Sequence, residues 1–317
     1  MATPYCYFQK RIVPLEEAKV GVMTHAFLYG TAVFEGVRGN WSEERGQSLI
    51  FRPVDHFRRL KQSAHIMHID LPQSAEELTD ICGQVVAATG FREDTYIRPI
   101  AYKSGEVIGP RLDGVDSDFM VFAIPFGNYL DLDAGIRCQT STWRRVPDVA
   151  IPARAKVNGL YVNSALAKTE AIENGYDEAI MLNDDGKVAE GSGENLVMVR
   201  HGKLITPERS DNVLEGITLE SVMQLAREEL GIDVIERSIA RSELYVADEC
   251  FLTGTAAHLS PVVEVDRRTV GGGGVGPITK KLQGLFFDVI RGRNAKYASW
   301  VHGVTPVAEP VAARVNA

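Results

Sequence analysis

The sequence predicts a mixed α/β protein of the α+β kind, and three observations carry that prediction. Helical apolar stripes alternate with short apolar runs over residues 50 to 125. Pairs of apolar runs joined by two- or three-residue turns mark the second half. The chain is 317 residues long with 45% hydrophobic and 24% charged residues, enough apolar material for two domains or one large one.

The elements follow in order. Phe57, Leu60, Ala64 and Met67 recur at three-to-four spacing, the mark of one helix face. Ser74 and Glu77 fit a capping box, Leu78, Ile81 and Val85 continue at helical spacing, and Gly90 is placed to stop the helix. Tyr96 to Tyr102 and Phe119 to Ile124 read as buried strands. Between Ile124 and Ile136, Pro, Gly, Asn and Asp crowd together, which predicts an interdomain connection over 125–135. The expected division is an N-terminal α/β domain over 1–124 and a C-terminal domain over 136–317. In the latter, Glu178 to Asn183, the turn Asp184-Asp185-Gly186 and Lys187 to Ala189 form one hairpin candidate. Asn195 to Val199, Arg200-His201-Gly202 and Lys203 to Thr206 form a second. A helix is predicted over about 217–230, stopped by Gly231. The run Gly271 to Gly274 lacks the GK[ST] ending and preceding strand of a phosphate loop, so it reads as a flexible connector before a helix from Pro277 to Val289. The Ala-, Val- and Pro-rich tail after Thr305 is expected to fray.

Composition removes several function classes. A net charge of -8 with no Lys/Arg block argues against nucleic-acid binding. The longest apolar runs, such as Phe119 to Pro125, fall far short of the roughly 20 residues that span a bilayer. Met1 to Lys10 shows no charged region leading into an apolar stretch, so no signal peptide is readable. Cys6, Cys82, Cys138 and Cys250 are widely spaced without a CxxC pair, which predicts no metal site and no disulfide framework and fits a cytoplasmic protein.

Four clusters could carry chemistry. Lys156 sits among small residues in ARAKVNG, on a short connector just before a helical pattern begins near Tyr161. A lysine held there can be desolvated, which makes it a Schiff-base candidate. Lys168, inside the following helix beside Glu170, reads as a surface lysine. The second cluster, Glu190-Gly191-Ser192-Gly193-Glu194-Asn195, puts two carboxylates in a tight bend between apolar strands, more than a bend requires. The third, Thr253-Gly254-Thr255-Ala256-Ala257, leaves backbone N–H groups open to an anion. The fourth is Gly216-Ile217-Thr218 at a helix start, where unpaired N–H groups and the helix dipole favour a phosphate. A lysine, a carboxylate and two anion sites are the parts that pyridoxal phosphate needs.

Lys156-x-x-Gly159-x-Tyr161, EGSGEN at 190–195, LEGIT at 214–218 and GTAA at 254–257, taken in order, resemble the fold-type IV pyridoxal-phosphate transaminases, and among them the branched-chain amino-acid aminotransferases. The N-terminal half agrees, with HAFLYG at 25–30, VFEGVR at 33–38 and YIRP at 96–99. The resemblance runs from about residue 5 to about 300. It implies a small N-terminal α/β domain, a larger C-terminal pseudo-barrel domain, pyridoxal 5'-phosphate as cofactor and a homo-oligomer, a dimer at least. The implied reaction is reversible amino transfer between L-leucine, L-isoleucine or L-valine and 2-oxoglutarate, giving 2-oxo acids and glutamate.

By the same resemblance Lys156 forms the internal aldimine and moves the proton from Cα. Glu190 faces the pyridine nitrogen, Tyr161 the ring's phenolic oxygen, and Arg59, Ile217, Thr218 and Thr255 the phosphate. The helix pattern alone does not single out Arg59 from its neighbours Arg58 and Lys61. The substrate carboxylate falls to Tyr96, Ala256 and Ala257. Tyr29, Phe34 and Gly36, with Phe126 and Tyr129 of the connecting loop, line the side-chain pocket, and Arg98 receives the second carboxylate of 2-oxoglutarate. One departure concerns the loop after YIRP, which reads KSGEVIG at 103–109 where many branched-chain enzymes carry a GDxGMG-like segment. An aminodeoxychorismate lyase, or a transaminase for D-amino acids or amines, is the alternative of the same fold.

Overall fold

Ser74 opens a helix as its spacing predicts: its hydroxyl accepts from the Glu77 N–H while the Glu77 carboxylate accepts from the Ser74 N–H, at 3.0 and 2.7 Å. Gly90 ends the same helix at φ 66°, a left-handed conformation that favours glycine. The structure, a computed structural model, describes residues 3–127 and 130–307.

The chain divides into two units. One holds the chain through Gly127, the short piece Ala155–Gly159 and the chain from Asp288 on; the other holds the intervening stretch ending at Arg154 and Leu160–Phe287. The first unit runs β1 (Tyr5–Phe8), β2 (Arg11–Pro14), α1 (His25–Tyr29), β3 (Ala32–Phe34), β4 (Val37–Ser42), β5 (Gln47–Phe51), α2 (Pro53–Ile66), α3 (Ala75–Thr89), β6 (Thr95–Lys103) and β7 (Ser117–Pro125). Its eight-stranded sheet has the order Val301–Val304, β5, β4, β6, β7, β1, β2, with β3 added on β6. Every pairing in it is antiparallel. Phe57 and Leu60 of α2 and Leu78 and Val85 of α3 are fully buried, as are Ile97 and Val121 of the sheet. Each such side chain contributes about 1.5–3 kcal/mol by leaving water. Met67, expected on the helix stripe, is the residue that ends α2 and is only half-buried.

The second unit runs β8 (Ile136–Arg144), α4 (Tyr161–Glu173), β9 (Glu178–Leu182), β10 (Val188–Gly191), β11 (Asn195–Arg200), β12 (Lys203–Thr206), α5 (Ile217–Leu230), β13 (Val234–Glu236), β14 (Glu249–Gly254), β15 (His258–Val265), β16 (Arg268–Thr269) and α6 (Pro277–Ile290), whose last turn crosses the unit boundary. Strands β10, β9, β8, β15, β14 and β11 pair in that order, and β10 pairs again with β11 through Glu190 and Asn195. The six strands therefore close on themselves as a barrel, which leaves none of them as an open edge. Ile180, Leu196, Met198, Leu252 and Val262 belong to its buried core. β8 and β9 are parallel, so the chain must cross over between them, and α4 lies on that crossover. The two predicted hairpins are present, and the run Gly271 to Gly274 forms a turn between β16 and α6.

The division differs from the expected one in two places within the C-terminal stretch. Val301–Val304 pairs with β5, Val301 opposite Phe51, and Arg291 makes two 2.6 Å bonds to Asp94, so the chain from Asp288 belongs with the first unit. Ala155–Gly159 joins it too, because Val157 bridges Val33 and the Phe34 N–H donates to the Lys156 carbonyl at 3.1 Å. Pairing across hundreds of residues leaves no local signal in a sequence.

Candidate active site

The expected site residues fall into two groups, one in each unit. In the first, the backbone of Lys156 is fixed on both sides: its N–H donates to the Ser63 hydroxyl at 3.2 Å and its carbonyl accepts from Phe34. Its Nζ lies 5.0 Å from the centre of the Phe34 ring. The Arg98 guanidinium lies 4.2 Å from the same centre, and its Nη2 donates to the Tyr96 hydroxyl at 2.8 Å. Residue 36 must be glycine here, because a Cβ would stand 2.4 Å from that hydroxyl. The Phe126 and Tyr96 rings are 5.2 Å apart. Lys156, Phe34, Gly36, Tyr96, Arg98 and Phe126 thus form one cluster with an apolar face, a lysine amine and a guanidinium. Arg98 Nε is buried without a hydrogen-bond partner, a donor with capacity for a ligand.

Arg59 is not on a solvated basic face. It is buried while Arg58 is exposed, and its Nε and Nη2 each donate to the Glu35 carboxylate at 2.7 Å. His56 Nδ1 meets the same carboxylate at 2.7 Å. Burial alone would push the Glu35 carboxyl up, but the charge and hydrogen bonds of Arg59, with those of His56, bring it down to about 2. Burial holds His56 below its ordinary value despite Glu35, so the group is an Arg59–Glu35 ion pair with a neutral imidazole.

Tyr29 belongs to a different local group. Its hydroxyl accepts from the Gly109 N–H at 2.9 Å, its ring lies 4.7 Å from that of His25, and His25 Nε2 meets the Gly109 carbonyl at 2.9 Å. The divergent 103–109 loop is therefore fastened to α1 at its far end. Tyr129 lies outside the described residues.

In the second unit Glu190 is buried and held on both oxygens. Arg145 Nη2 lies 2.7 Å from Oε1, while the Asn195 amide and the Leu214 N–H donate to Oε2 at 3.1 and 3.2 Å. Arg145, buried itself, is a residue that sequence reasoning missed; it lies 45 positions before Glu190, and only the buried carboxylate explains why a charged side chain is there. Ile217 and Thr218 open α5 behind Gly216, which supplies no side-chain cap, so the first-turn N–H groups suit an anion. Thr255, Ala256 and Ala257 form the tip between β14 and β15, with Ala257 buried. Tyr161 is the first residue of α4.

Glu194, the second carboxylate of the bend, is buried and pushed up to about 8, by desolvation first and the charge of Glu178 next. Lys168 departs from the surface reading: its Nζ lies 2.6 Å from the fully buried Glu178, which needs a counter-charge. Among the described residues no cluster of His, Cys, Asp or Glu is arranged to hold a metal ion, and no helix is long and apolar enough to cross a membrane.

The profile of the family Amino-transferase class IV matches residues 32–265. The chain belongs to the class IV aminotransferases. This aminotransferase is 50% identical over 303 residues, 96% of each chain, to an Aquifex aeolicus protein described as "Probable branched-chain-amino-acid aminotransferase". Its structure resembles that of the branched-chain aminotransferase of Thermoproteus uzoniensis with norvaline, at TM-score 0.90 and 45% identity, covering 94% of this chain and 98% of that one. It also resembles the T.th. branched-chain amino acid aminotransferase complexed with N-(5'-phosphopyridoxyl)-L-glutamate, at TM-score 0.89 and 39% identity over 95% and 98% of the two chains. The class IV aminotransferase is a pyridoxal-phosphate enzyme, and its residues fit that cofactor. It has a lysine amine for an aldehyde, a buried carboxylate for a ring nitrogen and an uncapped helix start for a phosphate.

Proposed function

We propose that this enzyme moves the amino group reversibly between L-leucine, L-isoleucine or L-valine and 2-oxoglutarate. The observation that carries the reading is the Phe34 ring, which has the Lys156 amine at 5.0 Å and the Arg98 guanidinium at 4.2 Å. An aliphatic side chain needs an apolar wall, and a second carboxylate needs a cation, because a charge left unpaired there would be expelled. Phe34 supplies the first and Arg98 the second. The relatives support this division, since one is held with norvaline and another with a glutamate adduct of the cofactor.

Pyridoxal phosphate, when bound, supplies the electron sink that lets the Cα–H bond of an amino acid break. Lys156 would hold the cofactor covalently, and once the substrate amino group had replaced it the freed neutral amine would take the proton from Cα. Glu190 is assigned the proton on the ring nitrogen, Tyr161 the phenolic oxygen, and Arg59, Thr255 and the N–H groups of Ile217 and Thr218 the phosphate. The substrate α-carboxylate is assigned to the Tyr96 hydroxyl and the N–H groups of Ala256 and Ala257. Gly36 leaves room for the Tyr96 hydroxyl, and Phe126 extends the aromatic wall. A second copy of the chain is part of the reading, and the exposed apolar side chains Val22, Phe27 and Ile108 of the first unit, at 76%, 69% and 74%, support it. The four cysteines are free and buried, which fits a reducing cytoplasm.

Mixing the holoenzyme with L-leucine and following the cofactor absorbance tests the reading. Conversion to the pyridoxamine form, reversed by 2-oxoglutarate, is the expected result. A spectrum that leucine, isoleucine and valine all leave unchanged would refute it.

A further inference from the structure

Asn195 faces Glu190 in the strand pair that closes the barrel, and opposed residues of an antiparallel pair send their side chains to the same face. Its Nδ2 donates both to Glu190 Oε2 at 3.1 Å and to the Leu214 carbonyl at 2.8 Å. Its Oδ1 fills the space a side chain at 216 would take, since a Cβ there would stand 1.9 Å away. Gly216 has φ -75° and ψ 126°, a conformation open to any residue. The requirement for glycine at 216 therefore comes from Asn195, not from the backbone. Asn195, buried itself, touches at once the carboxylate assigned to the ring nitrogen and the helix start assigned to the phosphate.

We propose that Asn195 is a positioning residue that sets the separation of these two anchors, so that both ends of pyridoxal phosphate are gripped together. The inference rests on the cofactor roles assigned above to Glu190, Ile217 and Thr218. A ligand with two ends gains from two sites only when their spacing matches its own length. Without Asn195 each anchor survives: Arg145 still holds Glu190 Oε1, and the N–H groups of α5 still point out of the helix. The Leu214 N–H keeps one tie to Glu190 Oε2 at 3.2 Å, and what is lost is the second tie and the wedge against Gly216 that together fix the span.

The test is calorimetric titration of the full chain, stripped of cofactor, with three probes: pyridoxal 5'-phosphate, pyridoxal and inorganic phosphate. Asn195→Ala removes the link from one side, and Gly216→Ala displaces the Asn195 amide from the other. In both variants the Kd for pyridoxal phosphate should rise about 10- to 100-fold, the loss of the linked-site advantage. The Kd values for pyridoxal and for phosphate should stay within about twofold, because neither fragment uses the span. The double variant should be no weaker than the worse single one by more than about twofold, since both changes break one contact. Parallel weakening of all three probes would make Asn195 merely structural and overturn the proposal, as would an unchanged Kd for pyridoxal phosphate. A wild-type protein that bound none of the three would instead overturn the cofactor assignments themselves.

Discussion

Glu35→Gln removes the charge from a carboxylate that is fully buried and leaves the buried Arg59 without its counter-ion. Two arguments bear on the cost. Breaking a buried ion pair by removing one partner costs about 3–5 kcal/mol. The Glu35 carboxyl is drawn from its usual 4.5 down to about 2. At about 1.4 kcal/mol per unit, that shift corresponds to about 3 kcal/mol of stability. The sign follows from the depression: the contribution is fully present above the unfolded value of 4.5 and is lost as pH falls toward about 2. Urea unfolding of wild type and variant, both stripped of cofactor so that no phosphate competes for Arg59, should show a gap of about 3 kcal/mol at neutral pH. The gap should narrow steadily below pH 4.5, because the unfolded wild-type chain takes up a proton on Glu35 that the folded carboxylate refuses until about 2. A gap of the same size at neutral pH and near pH 3 would refute the reasoning, because it would mean the loss is one of shape and not of charge.

Borohydride reduction of the holoenzyme followed by peptide mapping should place the cofactor on Lys156; a label on Lys168, already engaged by Glu178, would sink the assignment. Arg98→Met should lower the half-reaction specificity constant for glutamate by about 10- to 100-fold, the worth of a charge-assisted contact, and leave that for leucine within a few-fold. An equal fall for both substrates would make Arg98 structural. Glu194→Gln should stabilise the protein at alkaline pH, because Glu194 titrates near 8 and its charge is unwelcome where it is buried. The stabilisation, read as the difference in Tm, should be absent near pH 4, grow as pH rises and level off above about 8; a difference independent of pH would contradict the cause given for the shift.

Much of the local structure was legible in the residues themselves. The capping box at Ser74 and Glu77, the stops at Gly90 and Gly231, the helix over 217–230 and both hairpins of the second half depend on contacts within a few positions, where sequence and geometry are nearly the same information. EGSGEN was legible for the same reason: five positions and a tight bend bring Glu190 and Asn195 face to face. The surroundings of charged side chains were not legible where their partners lay far off. Arg59 has a polar pattern around it on its own helix and is buried because Glu35 lies on the far side of two strands. Lys168 turns inward to Glu178, and Arg145 could be found only through Glu190.

The order of motifs was enough to determine the family and its cofactor, since each motif is short and carries its own chemistry. The tertiary structure decided what no window of residues contains. It returned the C-terminal strand to the sheet of the first unit, closed six strands into a barrel and gave the buried carboxylates of Glu35 and Glu190 their counter-ions. The physical reason is that a hydrogen-bond ladder or a buried ion pair depends on distance in space, and the chain can bring any two positions together once the loop between them is closed.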